Sequence, residues 1–161
     1  MKTRVLFGLL MAAAAALGLA ACDNGTTAPS DGVTQVVSTT SFGMCMGYCK
    51  TRLELSPGKA VLVREPGGRG APTLPVERKE EALAPQEWKE IADLAAAAKI
   101  DGLPDVIGCP DCADGGAESL SIVGPGRNKT ITFDHGAKVE QAQSLLDRVR
   151  AIRTRMTPPQ P

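Results

Sequence analysis

The sequence predicts an α+β fold: a mostly antiparallel sheet of two hairpins with two helices packed on one face. Three observations predict it. Short β-branched or alternating stretches are joined by Pro-Gly turns, two later stretches carry apolar residues at helical spacing, and the elements run β-β-β-(β)-α-β-β-α. In chain order, residues 33–40 (VTQVVSTT) are rich in Val and Thr and read as a strand. Residues 49–55 alternate with a period of two, Ser56-Pro57-Gly58-Lys59 is turn chemistry, and residues 60–65 resume as a strand, giving the first hairpin. Residues 66–75, with three Gly and three Pro, form a loop. Residues 76–83 read as a charged edge strand. Pro85 opens a helix with Glu87 in its first turn; Trp88, Ile91, Ala92 and Ala95 share one face, and Gly102 and Pro104 end it. Ala84 stands where a capping Ser or Thr is usual. Residues 117–124 and 129–134 form the second hairpin around Pro125-Gly126-Arg127-Asn128. A final helix over about 138–155 carries the stripe Val139, Ala142, Leu145, Leu146, Val149, Ile152 and Met156.

The 161 residues carry 18 bases and 18 acids. Lys2 and Arg4 are the only charges among the first 21, so the remaining 140 hold 16 bases against 18 acids, a formal −2. A chain of this length buries one core rather than two. Its near-neutral charge excludes a nucleic-acid binder that works by blanket phosphate neutralisation. With 3% aromatic residues, 17 Gly and 12 Pro, the core is built from Val, Leu, Ile and Ala among many loops.

Residues 1–4 form a short positive head and 5–17 an uncharged apolar stretch. Leu19-Ala20-Ala21 then supplies small residues before a cleavage point, the layout of a secretory signal peptide. Leu19-Ala20-Ala21-Cys22 resembles the lipobox of bacterial lipoprotein precursors. The resemblance implies that the Cys22 thiol receives a diacylglycerol, that residues 1–21 are removed, and that the new amino end is acylated, a palmitate-type lipid anchor. As a spanning helix, residues 5–21 fall short of the roughly 20 needed. Parity agrees: five Cys is odd, and giving Cys22 to lipid leaves four. Residues 22–32 then read as the lipidated Cys and a polar tether reaching roughly 35 Å when extended. Residues 33–156 read as a single α+β domain and 157–161 as a disordered tail. The expected location is the bacterial cell envelope, with the domain outside the cytoplasm. Asp23 resembles an inner-membrane retention signal of enteric bacteria, and the choice between inner and outer membrane stays open.

The other cysteines form two pairs, Cys45 with Cys49 and Cys109 with Cys112. Three readings are open. Export places them where thiols oxidise to structural disulfides. A Cys45–Cys109 bridge closes 64 residues and contributes about 4 kcal/mol on the chain-entropy model, against about 2 for Cys109–Cys112. Those energetics favour pairing between the motifs, although connectivity is not legible in sequence. The second reading is thiol–disulfide exchange at Cys109-Pro110-Asp111-Cys112. Against it, Ala113-Asp114-Gly115-Gly116 starts no helix, and Asp111 and Asp114 would raise a thiol pKa. The third is a metal site, where four thiolates suit zinc and Met44 and Met46 add soft ligands for Cu(I). The structural alternative for those methionines is filling gaps in a small core.

Asp101, Asp105, Asp111, Asp114 and Glu118 form an acidic stretch without a base. It does not match the EF-hand order and reads as a solvated loop. His135, the only histidine, has no G-x-S-x-G elbow to serve and reads as a turn residue. No P-loop or dinucleotide fingerprint is present. Arg148, Arg150, Arg153 and Arg155 complement the end of the last helix, with anionic lipid headgroups as the functional alternative.

Phe42-Gly43-Met44-Cys45-Met46-Gly47-Tyr48-Cys49, the helix around Glu87-Trp88, and Gly102-Leu103-Pro104 running into Gly108-Cys109-Pro110-Asp111-Cys112-Ala113-Asp114-Gly115-Gly116-Ala117-Glu118 together resemble an uncharacterised family of small bacterial lipoproteins. That resemblance implies an exported α+β module and no particular activity. The first expectation is a lipid-anchored, non-enzymatic, disulfide-stapled binding or structural module, with no catalytic residue, metal or cofactor assigned. Its partners are the membrane, through the anchor, and an unidentified envelope protein or ligand. The alternative is a thiol-redox or zinc- or copper-handling protein using Cys45, Cys49, Cys109 and Cys112.

Overall fold

The computed structural model describes residues 32–68 and 74–158. The leader, Cys22, the tether through residue 31, residues 69–73 and the tail beyond Pro158 lie outside the described residues. The strands are β1 (Gln35–Ser41), β2 (Gly47–Ser56), β3 (Lys59–Gly67), β4 (Glu77–Ala82), β5 (Val106–Ile107), β6 (Ala117–Gly124) and β7 (Arg127–Asp134). Helix α1 (Pro85–Ala97) precedes β5, and α2 (Gln143–Met156) follows β7. All seven strands form one sheet in the order β4-β3-β2-β1-β6-β7-β5, antiparallel except where β5 lies beside β7. The class is therefore α+β, as expected, but the sheet is larger than two hairpins. β1 joins them by bonding β2 on one side and β6 on the other. β5 is two residues long, too short to show a period.

Both hairpins close on Pro-Gly. Ser56 pairs with Lys59 around Pro57-Gly58, and Gly124 with Arg127 around Pro125-Gly126. Gly58 and Gly126 have φ of +75° and +72°. Proline followed by a left-handed residue is the order of a type II turn, and glycine takes that second corner without a steric penalty.

The register lays three rows of side chains across the helix-facing side of the sheet. The first is Ala60-Leu55-Val36-Ile122, and the second Leu62-Leu53-Ser38-Leu120-Ile131. The third, Arg64-Thr51-Thr40-Glu118-Phe133, lies where the strands run into the cysteine loops. Trp88, Ile91, Ala92 and Ala95 of α1, with Leu145, Leu146, Val149, Ile152 and Met156 of α2, bury against the apolar members. The opposite face carries ion pairs such as Lys50–Glu65 and Arg52–Glu54, and β4 is the charged edge strand.

Two helix boundaries differ from expectation. α2 begins at Gln143 rather than 138, because buried Val139 takes an extended backbone and residues 140–142 make only a 3-10 turn. The Val139 N–H donates to Gln143 Oε1 at 3.2 Å, a side-chain cap supplied from inside the helix. α1 ends at Ala97, short of Gly102, and Ala84 gives it no side-chain cap. Arg127 occupies the far end instead: Nη1 donates to Ala95 O at 2.9 Å and Nη2 to Ala98 O at 2.8 Å, while Nε meets Asp101 Oδ1 at 3.1 Å. A cation on those carbonyls satisfies groups that a helix leaves unpaired and complements its dipole. Arg127→Met is expected to lose about 2 kcal/mol of stability; an unchanged urea midpoint would show that the cap is idle.

Candidate functional site

Both cysteine strings, with Cys45 and Cys109 64 positions apart in the chain, arrive at the polar end of the sheet. The β1–β2 connection is a loop from Phe42 to Met46, and β2 carries a register shift between Tyr48 and Lys50, so Cys49 is the extra residue of a bulge. Cys49 is buried and bridges back to Cys45, with 5.5 Å between their Cα atoms. On the second string Cys109 bridges Cys112 across the same Cα separation of 5.5 Å, and both residues are exposed. Pairing is thus within each motif, which corrects the expectation of a bridge from Cys45 to Cys109. The loop-closure argument counts only the freedom of the unfolded chain; where the folded backbone brings the sulfurs is a separate constraint.

What joins the two strings is a carboxylate. Asp111 accepts the Gly43 N–H at 3.1 Å on Oδ2 and the Gly116 N–H at 3.1 Å on Oδ1, while its own N–H donates to Gly116 O. Gly116 O also accepts the His135 N–H at 3.0 Å. Asp111, Ala113 and Asp114 all lie in the left-handed region, at φ of 62°, 53° and 60°. Ala113 has no polar side chain to favour that region, so the surrounding contacts impose it. Gly116 has φ +84°, and a Cβ there would overlap the Phe42 ring. That ring meets the His135 imidazole edge-on, with centroids 4.8 Å apart. Asp134 accepts the Cys109 N–H at 3.4 Å. On the other side of the loop, Tyr48 lies 4.2 Å beneath the Arg64 guanidinium. The outcome is a knot of three loops whose tip carries Met44 and Met46, 75% and 79% exposed. The methionines therefore fill no core gap, contrary to their structural reading.

Beneath the knot lies a buried ion cluster. Glu118, only 1% exposed, accepts from Arg150 (Nη2 to Oε2, 2.8 Å) and Arg153 (Nη2 to Oε1, 2.7 Å), both from α2. Arg150 also donates to Ala137 O, and Arg153 to Ser38 Oγ. Burial by itself would push the Glu118 carboxyl up; the hydrogen bonds from Arg150 and Arg153 outweigh it and hold the group below its ordinary value. The other two helix arginines are paired too, Arg148 with Glu87 and Glu90, and Arg155 with Glu87 and Glu81. The acidic stretch is solvent-exposed at Asp101, Asp105 and Asp114, as expected, and departs from a solvated loop at half-buried Asp111 and at buried Glu118. Asp101 holds Arg127, Asp105 holds Lys129, Asp111 ties the knot and Glu118 is buried, which leaves Asp114 exposed. Among the described residues no three His, Cys, Asp or Glu side chains gather as a metal site.

Sequence reasoning missed Ser38, Thr40 and Glu118 as a set. Their signal was phase: Ser38 and Thr40 fall in step with Val36, and Glu118 with Leu120 and Ile122, so all face the core side. No protein-family model matches the chain, and a search of curated proteins returns no match.

Glu118→Gln leaves two half-buried guanidinium groups short of a counter-charge and is expected to cost about 3 kcal/mol. The sign with pH follows from the lowered carboxyl. Its contribution is complete above the ordinary glutamate value of 4.5 and is lost as pH falls through the lower folded value. Acid titration of stability is thus expected to be steeper in the native chain than in Glu118→Gln; equal slopes would refute the assignment.

Proposed function

We propose that the chain is a lipid-anchored bacterial envelope protein that acts as a disulfide-stapled binding module rather than an enzyme. The observation that carries the reading is the knot itself: two short disulfides and the Asp111 carboxylate brace a loop that holds two methionines out in solvent. Exposed apolar side chains on a loop already ordered suit association, because less freedom is lost when a partner docks. Methionine is well adapted to such contacts, being flexible and polarisable. The Leu19-Ala20-Ala21-Cys22 lipobox and the likeness of both cysteine strings to small bacterial lipoproteins support the anchor and the envelope location. The partner in this reading is an envelope protein with an apolar contact surface.

A second reading, thiol–disulfide exchange, is favoured by one observation: Cys109 and Cys112 are both exposed, whereas Cys49 is buried. Against it, the pair sits on a loop followed by the single 3-10 turn Cys112–Asp114, with no α-helix N-terminus to stabilise a thiolate.

Two experiments test the anchored-module reading. Fractionation of cells expressing the full chain is expected to recover it with membranes, and Cys22→Ser to release it; a soluble native chain would overturn the anchor. A photo-crosslinking residue at position 46 is expected to yield one discrete adduct that Met44→Glu abolishes and that position 130, on the open face, does not give. Equal labelling from both positions would refute the module.

A further inference from the structure

A pocket of about 370 Å³ opens beside the Glu118 cluster, lined by Thr40, His135, Arg153, Thr154 and Thr157. Its lining offers hydroxyl, imidazole and guanidinium groups and no carboxylate. Three features make it a built site. Thr40 is 6% exposed, yet its hydroxyl makes no hydrogen bond among the described residues. The enclosed unpaired atoms are Nε of Arg148 and of Arg153, not the Thr40 oxygen, so the Thr40 hydroxyl stays open to the pocket that Thr40 lines. Arg153 directs both of its side-chain hydrogen bonds from Nη2, so neither engages Nη1, and its Nε is buried without a partner. Finally, Arg150 and Arg153 share one carboxylate, Glu118, so the cluster keeps one uncompensated positive charge in a place where desolvation makes charge expensive. Asp134, next to His135 in the chain, turns its carboxylate to the Cys109 N–H instead.

We infer that this pocket binds a phosphate-type oxyanion carried on a larger molecule, held by the Arg153 guanidinium, the Thr40 and Thr154 hydroxyls and His135. Donors from β1, from the turn after β7 and from α2 approach from different elements. That arrangement suits a tetrahedral group with several acceptor oxygens better than a planar carboxylate. The volume leaves room for the substituent. Thr157 contributes shape rather than a donor, since its hydroxyl already donates to Arg153 O. The inference does not depend on the methionine loop or on the anchor. The phosphate group has two sources, a soluble ester or a lipid headgroup near a membrane.

The test titrates the purified full chain with methyl phosphate at constant ionic strength, reading amide shifts by NMR, and compares Thr40→Val and His135→Gln. Thr40→Val keeps the side-chain shape and removes a hydroxyl that is open to the pocket and bonds no other described residue, so the fold is expected to be about as stable as before. Binding is expected to saturate with shifts centred on Thr40, His135 and Thr154, and to weaken about tenfold in Thr40→Val. Flotation with phosphatidylglycerol vesicles separates the sources: vesicle binding competed by methyl phosphate supports a headgroup, and saturable ester binding without vesicle binding supports a soluble ester. Non-saturating shifts, or equal affinity in both variants and the native chain, would overturn the inference.

Discussion

The buried Glu118 carboxylate is the constraint on which the arrangement of this protein depends. It sits on β6, beside Thr40 of β1 and Phe133 of β7, and receives two arginines from the last helix. One side chain therefore fixes the height and rotation of α2 over the sheet at the end where the apolar rows stop. Taking that carboxylate out of water costs several kcal/mol unless its lone pairs are filled. Here Arg150, Arg153 and the Gly136 N–H fill them, and Arg150 closes the connection by holding Ala137 O. The turn carrying His135 is positioned by the same contacts, and His135 in turn meets Phe42 of the cysteine loop. Helix, sheet and stapled loop are thus linked through a short run of polar contacts that ends in one aromatic contact.

The two disulfides act on a different scale. Each closes a loop of only a few residues, so neither ties distant parts of the chain together. Their effect is to stiffen the two loops that Asp111 joins, with Asp111 itself inside the Cys109–Cys112 ring, and it is Asp111 that spans the 68 residues to Gly43. A side-chain acceptor serving amides in two loops demands that both hold their shape, and a local bridge in each meets that demand. The left-handed run at Asp111, Ala113 and Asp114 belongs to the same economy, with strain in one turn offset by contacts that over-determine it.

Much of the fold was legible because its signals are local. Val and Thr in β1, the alternation in β2, and the two Pro-Gly corners each declare themselves within a few residues. So did the apolar stripes of both helices, whose buried faces are those their spacing implied. The rest required information that no window holds. β5 exists because Val106 and Ile107 meet β7, not because two residues favour a strand. The start of α2 is set by Val139 turning into the core. The cysteine pairing eluded an energetic ranking because that ranking describes the unfolded chain. Glu118 was hidden by counting it with neighbouring acids rather than by its phase in β6.

Stability alone does not account for the Glu118 cluster. Well-packed apolar residues of similar volume hold two layers together at least as firmly as a buried ion triad. The first and second rows of this sheet do so with Leu, Ile, Val and Ala, Ser38 excepted. The third row changes character at the point where the helices no longer cover it completely, where the Thr40 hydroxyl is open to a pocket that Arg153 also lines and no acid does. Apolar substitutes would keep the layers and remove the donors. A row that departs from the cheaper solution at the rim of a cavity, and departs by adding donors and a surplus positive charge, is organised around what the cavity holds.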